Sequence, residues 1–153
     1  MKTIHLTHSY AAPARAVWDI AIDYGCLAEV VEGLISFDGL PAGKVQAGQK
    51  ADVTVSLFGK LPAQPYHMEV LEFDDGNMIL KSSEYGAGVK SWCHTLHVTP
   101  TAAGCQMSDL VEIDAGWATS IFALWGRYLY RKRHGVRLRI LERRGPFKDR
   151  SIS

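Results

Sequence analysis

Polar and apolar residues alternate from the start of the chain. Ile4, Leu6, His8 and Tyr10 fall on one side of an extended segment, and Thr3, His5, Thr7 and Ser9 on the other. A period of two is that of a β-strand, so residues 3–10 are expected to form one. Pro13 follows, and opens a helix at a position where its missing N–H costs nothing. Val17, Ile20 and Ala21, with Trp18 beside them, give this helix an apolar stripe, and Gly25 is its expected stop. Residues 26–31 are expected to form a second short helix before Gly33.

From residue 34 to residue 115 the pattern is that of strands, and turn residues divide it. The expected strands are 34–40, 50–59, 64–73, 77–85, 89–99 and 104–114. Pro41-Ala-Gly43, Asp74-Asp-Gly-Asn77, Gly86-Ala-Gly88 and the stretch from Pro100 to Gly104 are among the breaks. Short loops between successive strands make an antiparallel meander. Gly116 ends the strand pattern, and a helix is expected over residues 117–142. Phe122, Trp125, Leu129, Val136 and Ile140 recur along it at helical spacing, and Ile121, Leu124 and Tyr128 widen the stripe. Such a face must lie on something apolar, and the sheet is the one candidate large enough. The element order is strand, two short helices, six strands and a long helix: an α+β chain.

Length and composition narrow this further. A chain of 153 residues fits one domain, expected over residues 1–145, with a frayed tail at 146–153. The chain carries no apolar run of about 18 residues, so no spanning helix is expected. The first ten residues lack the continuous apolar centre of a signal peptide, which makes the expected location cytoplasmic. Three cysteines, Cys26, Cys93 and Cys105, without CxxC spacing, argue against a disulfide framework or a zinc site. Net charge is +1, but residues 127–153 hold ten Lys/Arg against two acids, whereas residues 1–126 hold seven against fourteen. The simplest reading is a solvated basic helix face near a helix C-terminus. A basic amphipathic helix also suits peripheral contact with an anionic membrane surface. Nucleic acid is not expected, because no binding motif accompanies the arginines.

The candidate chemistry lies where the apolar strand face is interrupted. In strand 89–99 that face is Trp92, His94, Leu96 and Val98; in strand 104–114 it is Cys105, Met107, Asp109, Val111 and Ile113. Earlier strands offer Val53, Val55 and Leu57, then Tyr66, Met68 and Val70, then Met78, Leu80, Ser82 and Glu84. A loop centred near residues 101 and 102 sets Val98 opposite Cys105, Leu96 opposite Met107, His94 opposite Asp109 and Trp92 opposite Val111. The apolar faces then coincide, and opposed Cβ atoms lie about 4.5–5.5 Å apart. An isolated carboxylate on that face needs a partner, and His94 is within reach of Asp109. Such a pair is a structural polar pair, a ligand-orienting pair or a catalytic pair. His94 and His97 are three apart and face opposite ways, while His67 and Glu69 share a face that should be wet, so no metal is expected. The serines sit in no nucleophile elbow, and no phosphate loop or other cofactor motif is present.

The order of these motifs resembles the START-like superfamily of polyketide cyclases, dehydratases and lipid-transport proteins (SRPBCC), in its ligand-binding branch. The likeness covers residues 3–142. It rests on Ala12-Pro13-x-x-x-Val17-Trp18 and Asp23-Tyr24, on Trp92-x-His94-x-Leu96 and Asp109-x-Val111, and on Gly116 and Tyr130-Arg131-Lys132-Arg133. Where many members carry Trp-x-Pro after the first helix, this chain reads Cys26-Leu-Ala-Glu-Val-Val31. The resemblance implies a helix-grip fold: a seven-stranded antiparallel sheet wrapped around the long C-terminal helix, with a cavity between them. It implies further that helix aromatics, among them Trp125 and Tyr128, form part of the cavity floor. The expected ligand-binding set is therefore Trp92, His94, Asp109, Met107, Tyr66, Met68, Leu80, Glu84, Trp125 and Tyr128. The expected function is binding or transport of a small hydrophobic molecule in a cavity of roughly 300–1,000 Å³. The alternative is a cyclase, aromatase or dehydratase in which His94 acts as general acid/base and Asp109 sets its tautomer. A third reading is a partner-binding domain whose basic helix meets an acidic surface.

Overall fold

In the computed structural model, which describes residues 1–144, Lys2–Tyr10 form strand β1 with Ile4 and Tyr10 buried and Thr3, His5, Thr7 and Ser9 exposed. Pro13 sits one position earlier than expected, as the cap of helix α1 (Ala14–Ala21), with φ −58° and ψ 141°. Val17, Trp18 and Ile20 of α1 are buried. Gly25 does not stop this helix, because Asp23 starts the next one: its carboxylate accepts a hydrogen bond from the Cys26 backbone N–H at 3.0 Å and caps α2 (Tyr24–Val30). Aspartate is among the strongest N-cap residues, and here that preference outranks glycine's tendency to end helices.

Six further strands follow: β2 (Ile35–Asp38), β3 (Lys50–Leu57), β4 (Gln64–Asp74), β5 (Ile79–Gly86), β6 (Val89–Thr101) and β7 (Gly104–Asp114). They form one antiparallel sheet in the order β1-β7-β6-β5-β4-β3-β2, so the first strand closes against the last. The β6–β7 register differs from the expected one by two residues. Strand β6 runs on through Pro100 to Thr101, which pairs with Gly104, leaving only Ala102 and Ala103 as the turn. His94 therefore opposes Val111, and Asp109 opposes Leu96. A slip of two keeps every side chain on its face, whereas a slip of one would reverse it. Gly104 has a packing reason as well. A Cβ there would stand 2.1 Å from the Tyr10 carbonyl oxygen, so only glycine lets the end of β1 pass.

After one 3-10 turn (Gly116–Ala118), helix α3 runs from Thr119 to Arg143 across the sheet. The Thr119 hydroxyl accepts from the Ala115 N–H at 2.9 Å and donates to the Gly116 carbonyl at 2.7 Å, which fixes the start. The face turned inward carries Ala123, Gly126, Leu129, Tyr130, Arg137, Ile140 and Leu141, all buried. At Gly126 the helix packs tightly on side chains of the sheet, since a Cβ would lie 3.0 Å from both Ile4 Cδ1 and Trp92 Cη2. The expected widening of the stripe does not occur. Ile121, Leu124 and Tyr128 are 61%, 71% and 46% exposed, and Trp117 is 92% exposed. The reason is that Gly126 and Arg137 lie on the inward stripe but carry no hydrophobic signal, which draws the apparent apolar face away from the true one.

The interior divides into two apolar clusters. One gathers α1, α2, the C-terminal half of α3 and the hairpin end of β6 and β7, around Trp18, Met107, Val98 and Ile140. The other gathers Ile4, Val89, Trp92, Val111, Ile113, Ala123 and Tyr130 around the N-terminal half of α3. The expected frayed tail, residues 146–153, lies outside the described residues. Among the described residues no helix is long and apolar enough to cross a membrane.

Candidate functional site

Between the two apolar clusters, β1, β6 and β7 each place a polar residue where its neighbours on that face are apolar. Along β7, Met107 belongs to one cluster and Val111 to the other, with Asp109 between them. Along β6, His94 stands between Trp92 and Leu96; along β1, His8 stands between Leu6 and Tyr10. Ser82 of β5 opposes His94, and Glu84 opposes Trp92 on one side and Met68 on the other. From above, α3 adds Tyr130, Arg133, His134 and Arg137. The result is a polar belt through the middle of the protein.

A cavity of about 150 Å³ opens beside this belt, partly exposed to solvent, between sheet and α3. It is smaller than the expected range, and Trp92, Trp125 and Phe122 are among the large side chains on its wall. Most of its wall is apolar: Val30, Ile35, Phe37, Val55, Leu57, Leu80, Leu96 and Leu129 contribute. Seven of the ten expected ligand-binding residues line it: Trp92, His94, Tyr66, Met68, Leu80, Glu84 and Trp125. Three do not. Met107 is wholly buried in the first cluster, Tyr128 is turned outward, and Asp109 lies behind His94 at 1% exposure. The sequence reading missed Tyr24, Gln49, Tyr130, Arg133 and Arg137, which also line the cavity.

Local contacts fix the polar groups. His94 Nε2 lies 2.7 Å from Asp109 Oδ1, so the pair forms across neighbouring strands despite the shifted register. Burial alone would push the Asp109 carboxyl up. The His94 hydrogen bond and charge, with the charges of Arg137 and Arg133, outweigh that and hold it below the usual carboxylate range. The Tyr66 hydroxyl donates to Glu84 Oε2 at 2.6 Å and the Ser82 hydroxyl to Oε1 at 3.3 Å. Burial first, then the Glu84 charge and hydrogen bond, push the Tyr66 phenol well above its ordinary value, so it serves as a donor. Trp92 Nε1 donates to the Tyr130 hydroxyl at 3.3 Å, and the Arg133 guanidinium sits 4.6 Å over the Tyr130 ring. The Tyr130 ring centre is also 5.1 Å from that of His94. Burial pushes the Tyr130 phenol up in the same sense.

The belt is not internally complete. Among the described residues, seven buried side-chain atoms lack a hydrogen-bond partner, and all lie in the belt or on its edge: His8 Nδ1, the hydroxyl of Tyr10 at the edge of the first cluster, Asp109 Oδ2, Arg133 Nε, His134 Nδ1, and Arg137 Nε and Nη1. The His8 and His134 rings stack at 4.4 Å, and Tyr10 meets the His134 ring edge-on at 4.8 Å. Among the described residues no group of three or more His, Cys, Asp and Glu is arranged to hold a metal ion.

This architecture is shared widely among solved structures. The Zhui aromatase/cyclase from Streptomyces sp. R1128 matches with a TM-score of 0.71 at 15% identity, over 95% of this chain and 96% of that one. A truncated norcoclaurine synthase from Thalictrum flavum matches with a TM-score of 0.65 at 18% identity, over 92% of each chain. Protein CV1439 from Chromobacterium violaceum matches with a TM-score of 0.66 at 19% identity, over 90% of this chain and 99% of that one. At such identities the likeness is one of fold: the helix-grip architecture of the START-like superfamily. A comparison with curated proteins found no match. The match to a family model runs over residues 11–141, from the loop before α1 to the last turns of α3, and the chain belongs to that family, described as a domain of unknown function (DUF8410).

Proposed function

We propose that this protein binds a small, largely apolar molecule in the cavity between sheet and α3. The observation that carries the reading is the cavity itself: about 150 Å³ of space with mostly apolar walls, interrupted by His94, Tyr66 and Glu84. Natural cores are packed to crystal density, so a mostly apolar hollow of this size between sheet and helix is a departure from ordinary packing. Apolar walls supply affinity and a few convergent polar groups supply orientation. An apolar cavity of roughly 150 Å³ accommodates one benzene-sized ring, so the ligand is of single-ring size rather than a whole lipid. Native mass spectrometry of freshly purified protein should reveal a bound small molecule lost on denaturation. A Ser82→Trp variant, which fills the cavity, should lack it. Bare protein from two different expression hosts, with no ring-sized compound bound on addition, would overturn the reading.

A second reading is supported by the 2.7 Å His94–Asp109 contact. A histidine on the cavity wall, held by a carboxylate behind it, is the arrangement of a general acid/base, and one neighbour in fold is named an aromatase/cyclase. Under this reading ligand recovered from the wild type is chemically altered, and ligand recovered from His94→Gln is not. Identical recovery from both would remove it. The exposed Ile121, Leu124 and Tyr128 lie next to exposed Arg131 and Lys132 on α3, which supports peripheral contact with an anionic membrane. Co-sedimentation with phosphatidylcholine vesicles, with and without phosphatidylserine, tests this contact.

A further inference from the structure

We propose that the cavity takes a monocarboxylic acid, a single ring bearing a carboxylate, and that Arg137, assisted by Arg133, receives the carboxylate. The inference rests on the cavity-binding reading above and names the ligand class.

The acids on the wall already have donors. Glu84 accepts from Tyr66 and Ser82, Glu69 lies 3.7 Å from Lys50 Nζ, and Asp23 accepts from the backbone of α2. Among the described residues neither wall arginine is in an ion pair. Arg137 is 5% exposed, lies beside the Tyr10 hydroxyl and the Asp109 carboxylate, forms no ion pair among the described residues, and leaves Nε and Nη1 buried without a hydrogen-bond partner. Arg133 is bound only through the face of the Tyr130 ring, and its Nε is likewise unpartnered. A guanidinium has five N–H donors and cannot shed its proton in a protein, so the missing partner is an acceptor and not a change of protonation state. Leaving a buried charge uncompensated is among the largest penalties a fold can carry. Asp109 offsets part of it through space: its Oδ1 is held by His94, while its Oδ2 and the Tyr10 hydroxyl are the protein's own acceptors nearest Arg137.

A carboxylate arriving with the ligand would complete the acceptors for the two guanidiniums, since arginine pairs with planar anions through charge-assisted bonds. The size of the cavity limits the remainder of the molecule to one ring, against Leu80, Leu129 and Trp125. The Tyr66–Glu84 pair on the opposite wall is left to accept or donate to a ring substituent.

Isothermal titration of the unmodified protein with phenylacetate and with phenylacetamide, its neutral counterpart, tests the idea. Phenylacetate should bind at least tenfold more tightly. In Arg137→Met the preference should vanish while affinity for phenylacetamide stays within twofold. Equal affinities in the unmodified protein would overturn the acid while leaving the cavity reading intact. An undiminished preference in Arg137→Met would overturn the assignment of Arg137. Failure of both compounds to bind would overturn the cavity reading and this inference together.

Discussion

The two ends of the interior and the belt between them are built on opposite principles. At the end around Trp18, which is 0% exposed, the ring stacks on Phe73 at 5.8 Å and its one polar atom donates to Asp75 Oδ1 at 2.8 Å. No polar atom of Trp18 is left unmatched. In the belt and at its edge, six polar residues leave seven buried atoms without partners, and two of the residues are arginines. Native proteins satisfy nearly all buried polar groups, so a concentration of exceptions calls for an explanation. One region serves stability, and under the proposed function the other holds unsatisfied groups for a ligand. Such a site lowers the stability of the empty protein and raises it when filled.

The comparison can be broken most forcefully at the apolar end. Trp18→Ala should cost about 3–5 kcal/mol of unfolding free energy, measured by urea denaturation, and should leave the acid-over-amide preference unchanged. Asp109→Ala should be nearly as damaging, at ~3–5 kcal/mol, because it strands His94 and removes the carboxylate that tempers two arginines. The belt's own signature is a small effect. Arg137→Met should change the stability of the empty protein by no more than about 1 kcal/mol, since the loss of its attraction to Asp109 is offset by removal of buried N–H groups without a hydrogen-bond partner. If Arg137→Met cost as much as Trp18→Ala, the belt would be structural and the contrast false.

How much of this was legible in the sequence follows from the same contrast. The strands, the long helix and the helix-grip order were legible, because burial on one face writes a period of two or 3.6 into the chain. The His94–Asp109 pair was legible for that reason too, as a polar break in an apolar face. Its register was not, because Pro100 suggested a loop where β6 continues to Thr101. Arg133 and Arg137 were hidden among ten Lys/Arg in residues 127–153, where charge reads as solvent exposure. The signal that could have separated them is spacing. Leu129, Arg133, Arg137 and Leu141 recur every four residues on one face of α3, and Leu129, Arg137 and Leu141 are buried. His8 lay in plain view on the apolar side of β1, but its partner in the stack, His134, is 126 positions away by number and nothing local marks it.

Acid should separate the two regions by a smaller margin. Burial, with the Arg137 and Arg131 charges, keeps the His8 pKa lowered even though Asp109 raises it, and burial with the His8 and Arg137 charges lowers that of His134. In the unfolded chain both take up a proton near pH 6.5, while the folded protein resists. The unfolded state thus binds more protons, and stability falls with pH through this window. It should be full above about pH 6.5, decline as pH falls toward the folded values, and level out below them. A second loss belongs to Asp109, whose lowered pKa confines it to the more acidic carboxylate range. Urea midpoints measured across pH should show the first decline in the wild type and in Trp18→Ala alike, because the apolar end adds no histidine. In a His8→Gln, His134→Gln double variant the first decline should be flattened and the second retained. An unchanged slope in the double variant would mean that the stacked pair is already solvated.

The smallest effect is expected on the outer side of α3, where the hydrophobic pattern and the structure disagree. By spacing alone, Leu124 belongs to the apolar stripe, and removing a buried leucine costs about 2–5 kcal/mol. The structure turns it outward at 71% exposure, with Ala123 and Gly126 on the inward side in its place. Glutamine has good helix propensity and roughly preserves length, so Leu124→Gln isolates burial from backbone effects. The unfolding free energy should move by no more than about 0.5 kcal/mol, and the affinity for phenylacetate should not move at all. The same substitution at Leu129, 3% exposed and on the cavity wall, should lower both stability and affinity. The two variants lie on the same helix and differ in which way the side chain points. A large loss at Leu124 would mean that α3 is rotated from the orientation described, and would take Arg137 out of the cavity with it.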